Sequence, residues 1–318
     1  MTLDLLRLAL GGVMLYFGAE WLVRGAAGVA KSFGVAPLVV GLTVVSYGTS
    51  APELAVSVTA TLDFKGAIAL GNVVGSNIAN IGLILGLVAL IAPPKVDGGL
   101  IQRELPLLLL ASVALPLMLI DGQLGRIDGP LLFCCAIVFT VATFRRVAHP
   151  SDASHSESPP AEEEKEEALG RTPLMALLAV GLVVLTGGGY FFVDGAANIA
   201  ESLGVSHRVI GLTVVAFGTS VPELAASLVA ALRGHSDIAV GNVIGSNLFN
   251  ILLILGITPM VRPLPGSLSV LSFDIGVMLL FTVATMVSMR KSRRIGRPEG
   301  ALYLIGYLSF IGALAYSS

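Results

Sequence analysis

Glu53 and Glu223 each stand in the middle of an apolar stretch, at matching points of two segments that repeat each other at an offset of 170 residues. Gly41–Leu62 reads GLTVVSYGTSAPELAVSVTATL and Gly211–Leu232 reads GLTVVAFGTSVPELAASLVAAL, with 15 of 22 positions identical. A second pair lies in the same register: ALGNVVGSNIANIGLILG over Ala69–Gly86 and AVGNVIGSNLFNILLILG over Ala239–Gly256. A carboxylate inside a bilayer costs several kcal/mol, so it marks a functional site by default. Two of them, symmetric and set in helices interrupted by Gly and Pro, point to the passage of a cation.

The residue types around them suit that chemistry. Pro52 has no N–H, so the carbonyl of Gly48 loses its helical partner, and Gly48 loosens the same turn. The expected result is a break with freed carbonyl oxygens at membrane depth, tolerated only where it lines a cavity or is packed in protein. Ser46, Thr49, Ser50, Glu53 and Ser57 recur at steps of mostly three and four and form one helical stripe; Ala216, Thr219, Ser220, Glu223 and Ser227 repeat it. On the next helices Asn72, Ser76 and Asn80, then Asn242, Ser246 and Asn250, stand at i, i+4 and i+8. Gly71, Gly75, Gly241 and Gly245 are expected to let these helices approach closely. Carboxylates, hydroxyls, amide oxygens and carbonyls without thiolate or imidazole suit hard cations such as calcium or sodium.

A plainer reading competes for the uncharged residues. Ser and Asn also hold membrane helices together by hydrogen bonds, and the lone serines, Asn77 and Asn247 fit that role as well. It does not extend to Glu53 and Glu223, because neither motif contains a Lys or Arg to pair them. Glu20 and Arg24, spaced i, i+4, are expected to form an ion pair within one helix. Adjacent Cys134 and Cys135 lack a metal-ligand spacing and read as small lipid- or helix-facing residues. The four histidines, His149, His155, His207 and His235, fall in loops or at span ends, and no nucleophile–base constellation marks an enzyme.

These residues need a frame. The chain of 318 residues is 55% hydrophobic and 13% charged, against about 25% charged for a soluble domain. The net charge of −2 argues against a nucleic-acid partner, and no obligatory protein partner is implied. The start, MTLDLL, lacks a basic region and a cleavage site, so it is expected to open a retained helix. Ten stretches approach the ~20 apolar residues of a spanning helix: about 4–31, 36–62, 66–91, 101–120, 127–147, 172–202, 207–232, 236–261, 267–289 and 297–316. The expected fold is an all-α membrane protein: 1–147 a first five-helix repeat, 148–171 an acidic linker, 172–318 a second repeat. Five spans per repeat force the second copy to enter from the opposite side, so the repeats are inverted and the site is expected at their interface near the midplane. Lys and Arg number 13 on the side of the linker and five on the other, which puts the linker in the cytoplasm and both termini outside. SDASHSESPPAEEEKEEALG (Ser151–Gly170) is polar and acidic and matches no EF-hand spacing.

GTSAPE with GNVVGSNIAN, then GTSVPE with GNVIGSNLFN, resembles the α-repeats of the cation/calcium exchanger superfamily, and within it the compact prokaryotic form of the sodium/calcium exchanger branch. The resemblance covers essentially the whole chain. It implies alternating access across a cell (inner) membrane, several sodium ions exchanged for one calcium, and no resident cofactor. By motif position it implies Glu53 and Glu223 as shared ligands, the carbonyls of Thr49 and Thr219 in the calcium shell, Ser50 with Ser76 and Ser220 with Ser246 at two sodium sites, and Asn80 and Asn250 at the central position. The long helices at 4–31 and 172–202 would be the sliding gate. Several exchangers, including potassium-dependent ones, carry Asp where this chain has Asn250, which argues against potassium coupling. A proton-coupled or manganese antiporter, and a cation channel with a ring of acids or carbonyls, are the alternatives.

Overall fold

The structure, a computed structural model, describes residues 1–147, 170–205 and 218–317. The expected acidic linker, apart from Gly170 and Arg171, lies outside the described residues, as do His207, Arg208 and Ala216. The chain runs through α1 (Thr2–Phe33), α2 (Pro37–Thr49), α3 (Ala51–Leu62), α4 (Gly66–Ile91), α5 (Gly98–Met118) and α6 (Asp128–Val147). It continues with α7 (Arg171–Ser202), α8 (Val221–Leu232), α9 (Ser236–Val261), α10 (Leu268–Ser292) and α11 (Arg297–Ser317). Among the described residues the only strands are β1 (Gln123–Leu124) and β2 (Leu264–Pro265), paired antiparallel. Seven helices among the described residues are long and apolar enough to cross a membrane, and the bent pair α2–α3 makes an eighth if it is one span. Leu110, Val183, Leu280 and Leu302 are exposed on helix surfaces, as lipid contact requires. Cys134 and Cys135 are free and exposed on α6.

Proline placement sets the breaks. Pro52 stands in the first turn of α3, where its missing N–H costs nothing. Ser50 before it leaves helical geometry (φ −85°, ψ 7°), and α2 and α3 meet at a bend of 44°. Pro222 opens α8 in the same way after Ser220 (φ −91°, ψ 4°). Three helices contain a run of wider π-type turns: α2 at Gly41–Val45, α4 at Asn80–Leu85 and α9 at Asn250–Ile254. Helical periodicity gives no sign of them, because a wide turn leaves the apolar composition unchanged and only rotates the residues beyond it.

By its internal packing the chain divides into two compact units. The first contains Met1–Thr49 and Phe139–Asn242, the second Ser50–Val138 and Val243–Ser318. Each unit draws on both sequence repeats.

In the first unit α1 and α7 run antiparallel along a glycine seam. Gly11, Gly18 and Gly25 recur every seven residues; a Cβ on them would come within 2.4, 2.5 and 2.5 Å of the backbone nitrogens of Phe192, Leu185 and Leu178. Gly181, Gly188 and Gly195 return the arrangement against Leu22, Leu15 and Asp4–Leu8. No side chain larger than hydrogen fits these six positions, so the two backbones touch. Gly48 is equally tight against Leu182, and Gly218 against Val193, so glycine here admits α7 besides loosening a turn.

Ion pairs tie the same unit. Arg7 Nη1 donates to Asp194 Oδ2 at 2.9 Å. Arg233, at the end of α8, forms a two-pronged pair with Glu20 of α1, Nη2 to Oε1 at 2.8 Å and Nε to Oε2 at 3.0 Å. The expected partner of Glu20 is Arg24. Glu20 reaches instead across to the end of α8, where the planar guanidinium of Arg233 engages both of its carboxylate oxygens.

The second unit has its own buried core. Leu70, Ile78, Ile84 and Leu105 are fully buried. Glycine again sets helix contacts: a Cβ on Gly300 would lie 2.8 Å from the Gly86 carbonyl oxygen, and one on Gly256 2.8 Å from Phe133 N.

Candidate cation site

The residues that the sequence marks for the site are divided between the two units. In the first unit α8 carries Glu223 and Ser227, with Ser220 just before it; all are buried, and Glu223 is only 1% exposed. Asn242 of α9 holds this helix: its Nδ2 donates to the Glu223 carbonyl oxygen at 3.4 Å and to Ser227 Oγ at 2.9 Å. Asn242 Oδ1 accepts from Thr49 Oγ1 at 3.2 Å, which brings the end of α2 to the same amide. Thr219 Oγ1 is buried and has no hydrogen-bond partner among the described residues.

The second unit repeats the clamp. Asn72 Nδ2 donates to the Glu53 carbonyl oxygen at 3.2 Å and to Ser57 Oγ at 3.0 Å. Ser50, Glu53 and Ser57 are buried, Glu53 to the same 1% exposure as Glu223. The two glutamate helices are thus positioned by equivalent Asn–carbonyl–Ser contacts 170 residues apart in sequence.

The expected stripe Asn72, Ser76, Asn80 therefore divides by role. Asn72 is committed to the clamp and half-buried; Ser76 and Asn80 are buried. On α9 the corresponding Asn242, Ser246 and Asn250 are all buried. Among the described residues Asn80 Oδ1, Asn250 Oδ1 and Ser246 Oγ have no hydrogen-bond partner, and a buried polar oxygen left so costs about 1–3 kcal/mol. The amide nitrogens are used: Asn80 Nδ2 donates to Asn247 Oδ1 at 3.2 Å, and Asn250 Nδ2 to Asn77 Oδ1 at 3.1 Å. Both central asparagines stand where the wide turns of α4 and α9 begin.

Close approach holds at Gly241, whose Cβ would meet the Leu38 carbonyl oxygen at 2.9 Å. At Gly71 and Gly75 no described atom would lie within 4 Å, so the expected symmetry of these glycines is not seen there among the described residues.

Chemically, the two units offer two carboxylates, serine and threonine hydroxyls, and amide oxygens. No group of three or more His, Cys, Asp or Glu able to hold a metal occurs among the described residues. Carboxylate, hydroxyl and amide oxygens are donor types that suit hard cations. Two features escape sequence reasoning. Arg233 counts there only as a loop charge, and the partnership of Asn77 and Asn247 with the central asparagines crosses the repeats. The identical GSN in both motifs is the available signal.

Comparison with known proteins gives a consistent picture. The chain matches the family described as sodium/calcium exchanger protein over residues 3–145 and 173–316. It is 32% identical to the sodium/calcium exchanger MaX1 of Methanosarcina acetivorans, covering 99% of both chains. It is 37% identical to the inner membrane protein YrbG of Escherichia coli, over 98% of this chain and 96% of that one. Its fold superposes on the sodium-calcium exchanger NCX_Mj with a TM-score of 0.84 at 35% identity, over 98% of this chain and 99% of that one.

Proposed function

The chain belongs to the sodium/calcium exchanger protein family, and on that premise we propose that it exchanges sodium for calcium across the cell (inner) membrane by alternating access. It is an integral membrane protein, and its family transports ions. The observation that carries the finer reading is the equivalent burial of Glu53 and Glu223, each held by an asparagine clamp on the carbonyl of the glutamate itself. Burying a carboxylate twice, symmetrically, is costly unless the charge is used.

In this reading Glu53 and Glu223 are ligands to both ions. The carbonyls of Thr49 and Thr219 complete the calcium shell, Ser50 with Ser76 and Ser220 with Ser246 serve sodium, and Asn80 and Asn250 supply neutral oxygens. Bound calcium leaves two carboxylates neutralised. Several sodium ions leave a net positive site, so the cycle carries charge. The antiparallel α1–α7 pair, in contact through backbone, supports a gate that slides along its own axis. Ten spans as two inverted repeats, 1–147 and 172–318, put both termini outside and the linker at 148–171 in the cytoplasm.

The test is labelled-calcium uptake into proteoliposomes under imposed sodium, proton or potassium gradients, with manganese as competitor. Sodium-driven, saturable uptake is expected. Glu53→Gln and Glu223→Gln are each expected to abolish it without unfolding the protein, since each removes a charge while keeping size and a carbonyl oxygen. Uptake driven by protons alone would replace sodium as the coupling ion. Normal flux in either variant would remove that glutamate from the site, and single-channel currents would replace the carrier. Labelling of Ser154→Cys from outside intact cells would reverse the topology.

A further inference from the structure

We infer that Asn77 and Asn247 are positioning residues that act crosswise: Asn247 of the second repeat orients Asn80 of the first, and Asn77 orients Asn250. The inference rests on the proposed role of Asn80 and Asn250 as ion ligands. All four residues are buried within one compact unit, at 0–1% exposure.

An asparagine presents either a carbonyl oxygen or an amide nitrogen, and only the oxygen can ligate a cation. Nothing in the side chain itself selects between them, because a half-turn about the last torsion exchanges the two. The selection must come from what holds the other end. Here Asn247 Oδ1 takes the Asn80 Nδ2–H and Asn77 Oδ1 takes the Asn250 Nδ2–H. What remains of each central amide is an oxygen with no hydrogen-bond partner among the described residues.

Helical spacing alone suggests a different partnership. Asn77 and Asn80 are three apart on α4, as Asn247 and Asn250 are on α9, so each outer asparagine is nearest in sequence to the central one of its own helix. The hydrogen bonds run instead between the helices, 167 and 173 residues apart. The two contacts form a crossed pair about the repeat symmetry. Asn77 Nδ2 has a further soft contact, Met278 Sδ at 3.8 Å, while Asn247 Nδ2 has none. Asn77 is therefore held on both sides, and Asn247 only by the amide it serves.

Outer partners of this kind typically change metal affinity about 10–100-fold when removed. The experiment is calcium binding by titration calorimetry in detergent, with labelled-calcium flux in proteoliposomes beside it. Asn247→Leu and Asn77→Leu, which keep bulk and remove the acceptor, are expected to weaken calcium binding about tenfold and to raise KM more than they lower kcat. Asn247→Asp and Asn77→Asp keep an acceptor oxygen and are expected to hold affinity at or above the parent. In a double-mutant cycle Asn247→Leu should lose its effect in an Asn80→Ala background and keep it in Asn250→Ala, with the converse for Asn77→Leu. Unchanged affinity in both Leu variants, failure of both Asp variants to rescue, or coupling within each helix rather than across would overturn the inference. If a Leu variant does not fold, Asn247→Ala and Asn77→Ala carry the same cycle. The two readings fail separately: full flux in Glu53→Gln removes the proposed site, while abolished flux there with unaltered Asn247→Leu removes only the crossed pairing.

Discussion

The α1–α7 pair in the first unit and helix α4 in the second solve the same problem by opposite means. Lipid is as apolar as leucine, so helices in a bilayer must be held by close packing or by polar contacts. Across α1 and α7 six glycines at heptad spacing bring backbone against backbone, and the apolar windows of these helices are buried only to 33% and 22%. Helix α4 is buried to 72%, and the central amides of α4 and α9 are joined by crossed hydrogen bonds. A seam without side-chain knobs defines separation but fixes axial position weakly. A pair of directional amide bonds fixes register and orientation. The first arrangement suits the proposed sliding gate, the second the proposed ligand oxygens.

The comparison breaks most visibly at Gly11. A methyl group there would lie 2.4 Å from Phe192 N, and backbone cannot step aside as a side chain can. Gly11→Ala is expected to cost about 1–3 kcal/mol and most of the exchange activity. The adjacent Gly12→Ala, with no described atom within 4 Å, should behave as the parent. Equal flux and equal thermal stability for the two variants would mean that the seam is not in contact.

A change in the second unit should alter selectivity rather than assembly. Asn250→Asp adds a third carboxylate to the proposed ligand set. Like charges at low dielectric favour neutralisation by a proton or a further cation. The variant should keep calcium flux and gain dependence on pH or potassium that the parent lacks, read at a fixed sodium gradient. A parent that already needs potassium would contradict the sodium-only assignment.

Smaller still is the Glu20–Arg233 pair of the first unit. Arg233 is 37% exposed on its side chain and Glu20 12%, so solvent screens the interaction. A double-mutant cycle with Glu20→Gln and Arg233→Gln should give a coupling of about 1 kcal/mol in thermal unfolding. No coupling would return Glu20 to a pairing within its own helix. The smallest change is Ser112→Ala in α5. Ser112 Oγ is fully buried without a partner among the described residues, so removing it should be neutral or stabilise by about 1 kcal/mol. Destabilisation would show that the hydroxyl has a function.

Much of this is open to reading in the sequence, for a reason the duplication makes plain. Two copies of one segment, each with a carboxylate beside Gly and Pro, separate what is repeated from what is merely apolar. That locates Glu53 and Glu223, the helix break before Pro52, the start of α8 at Pro222, and helices at most of the apolar stretches. A repeat states which residues are equivalent, not which ones touch. Glu20 has an oppositely charged neighbour at i+4, yet its two-pronged partner is Arg233, 213 residues away. Asn77 and Asn80 share a helix face, yet their amide partners stand on α9. The wide turns at Asn80 and Asn250 are hidden as well, since they change the direction of side chains and not their order. Division into compact units is illegible because it cuts each repeat and joins pieces of both.

The glycine seam also has a consequence in time. Helix α1 ends at Phe33 and its partner α7 begins at Arg171. About 140 residues must be made between them, which at about 5–20 residues per second takes about 7–28 s. Throughout that interval the glycine face of α1 lacks the backbone that it packs against in the folded protein. Chain order thus puts five helices, α2 to α6, between α1 and its permanent neighbour, and a chain released before α7 is complete leaves that face open to any helix with small residues at matching spacing.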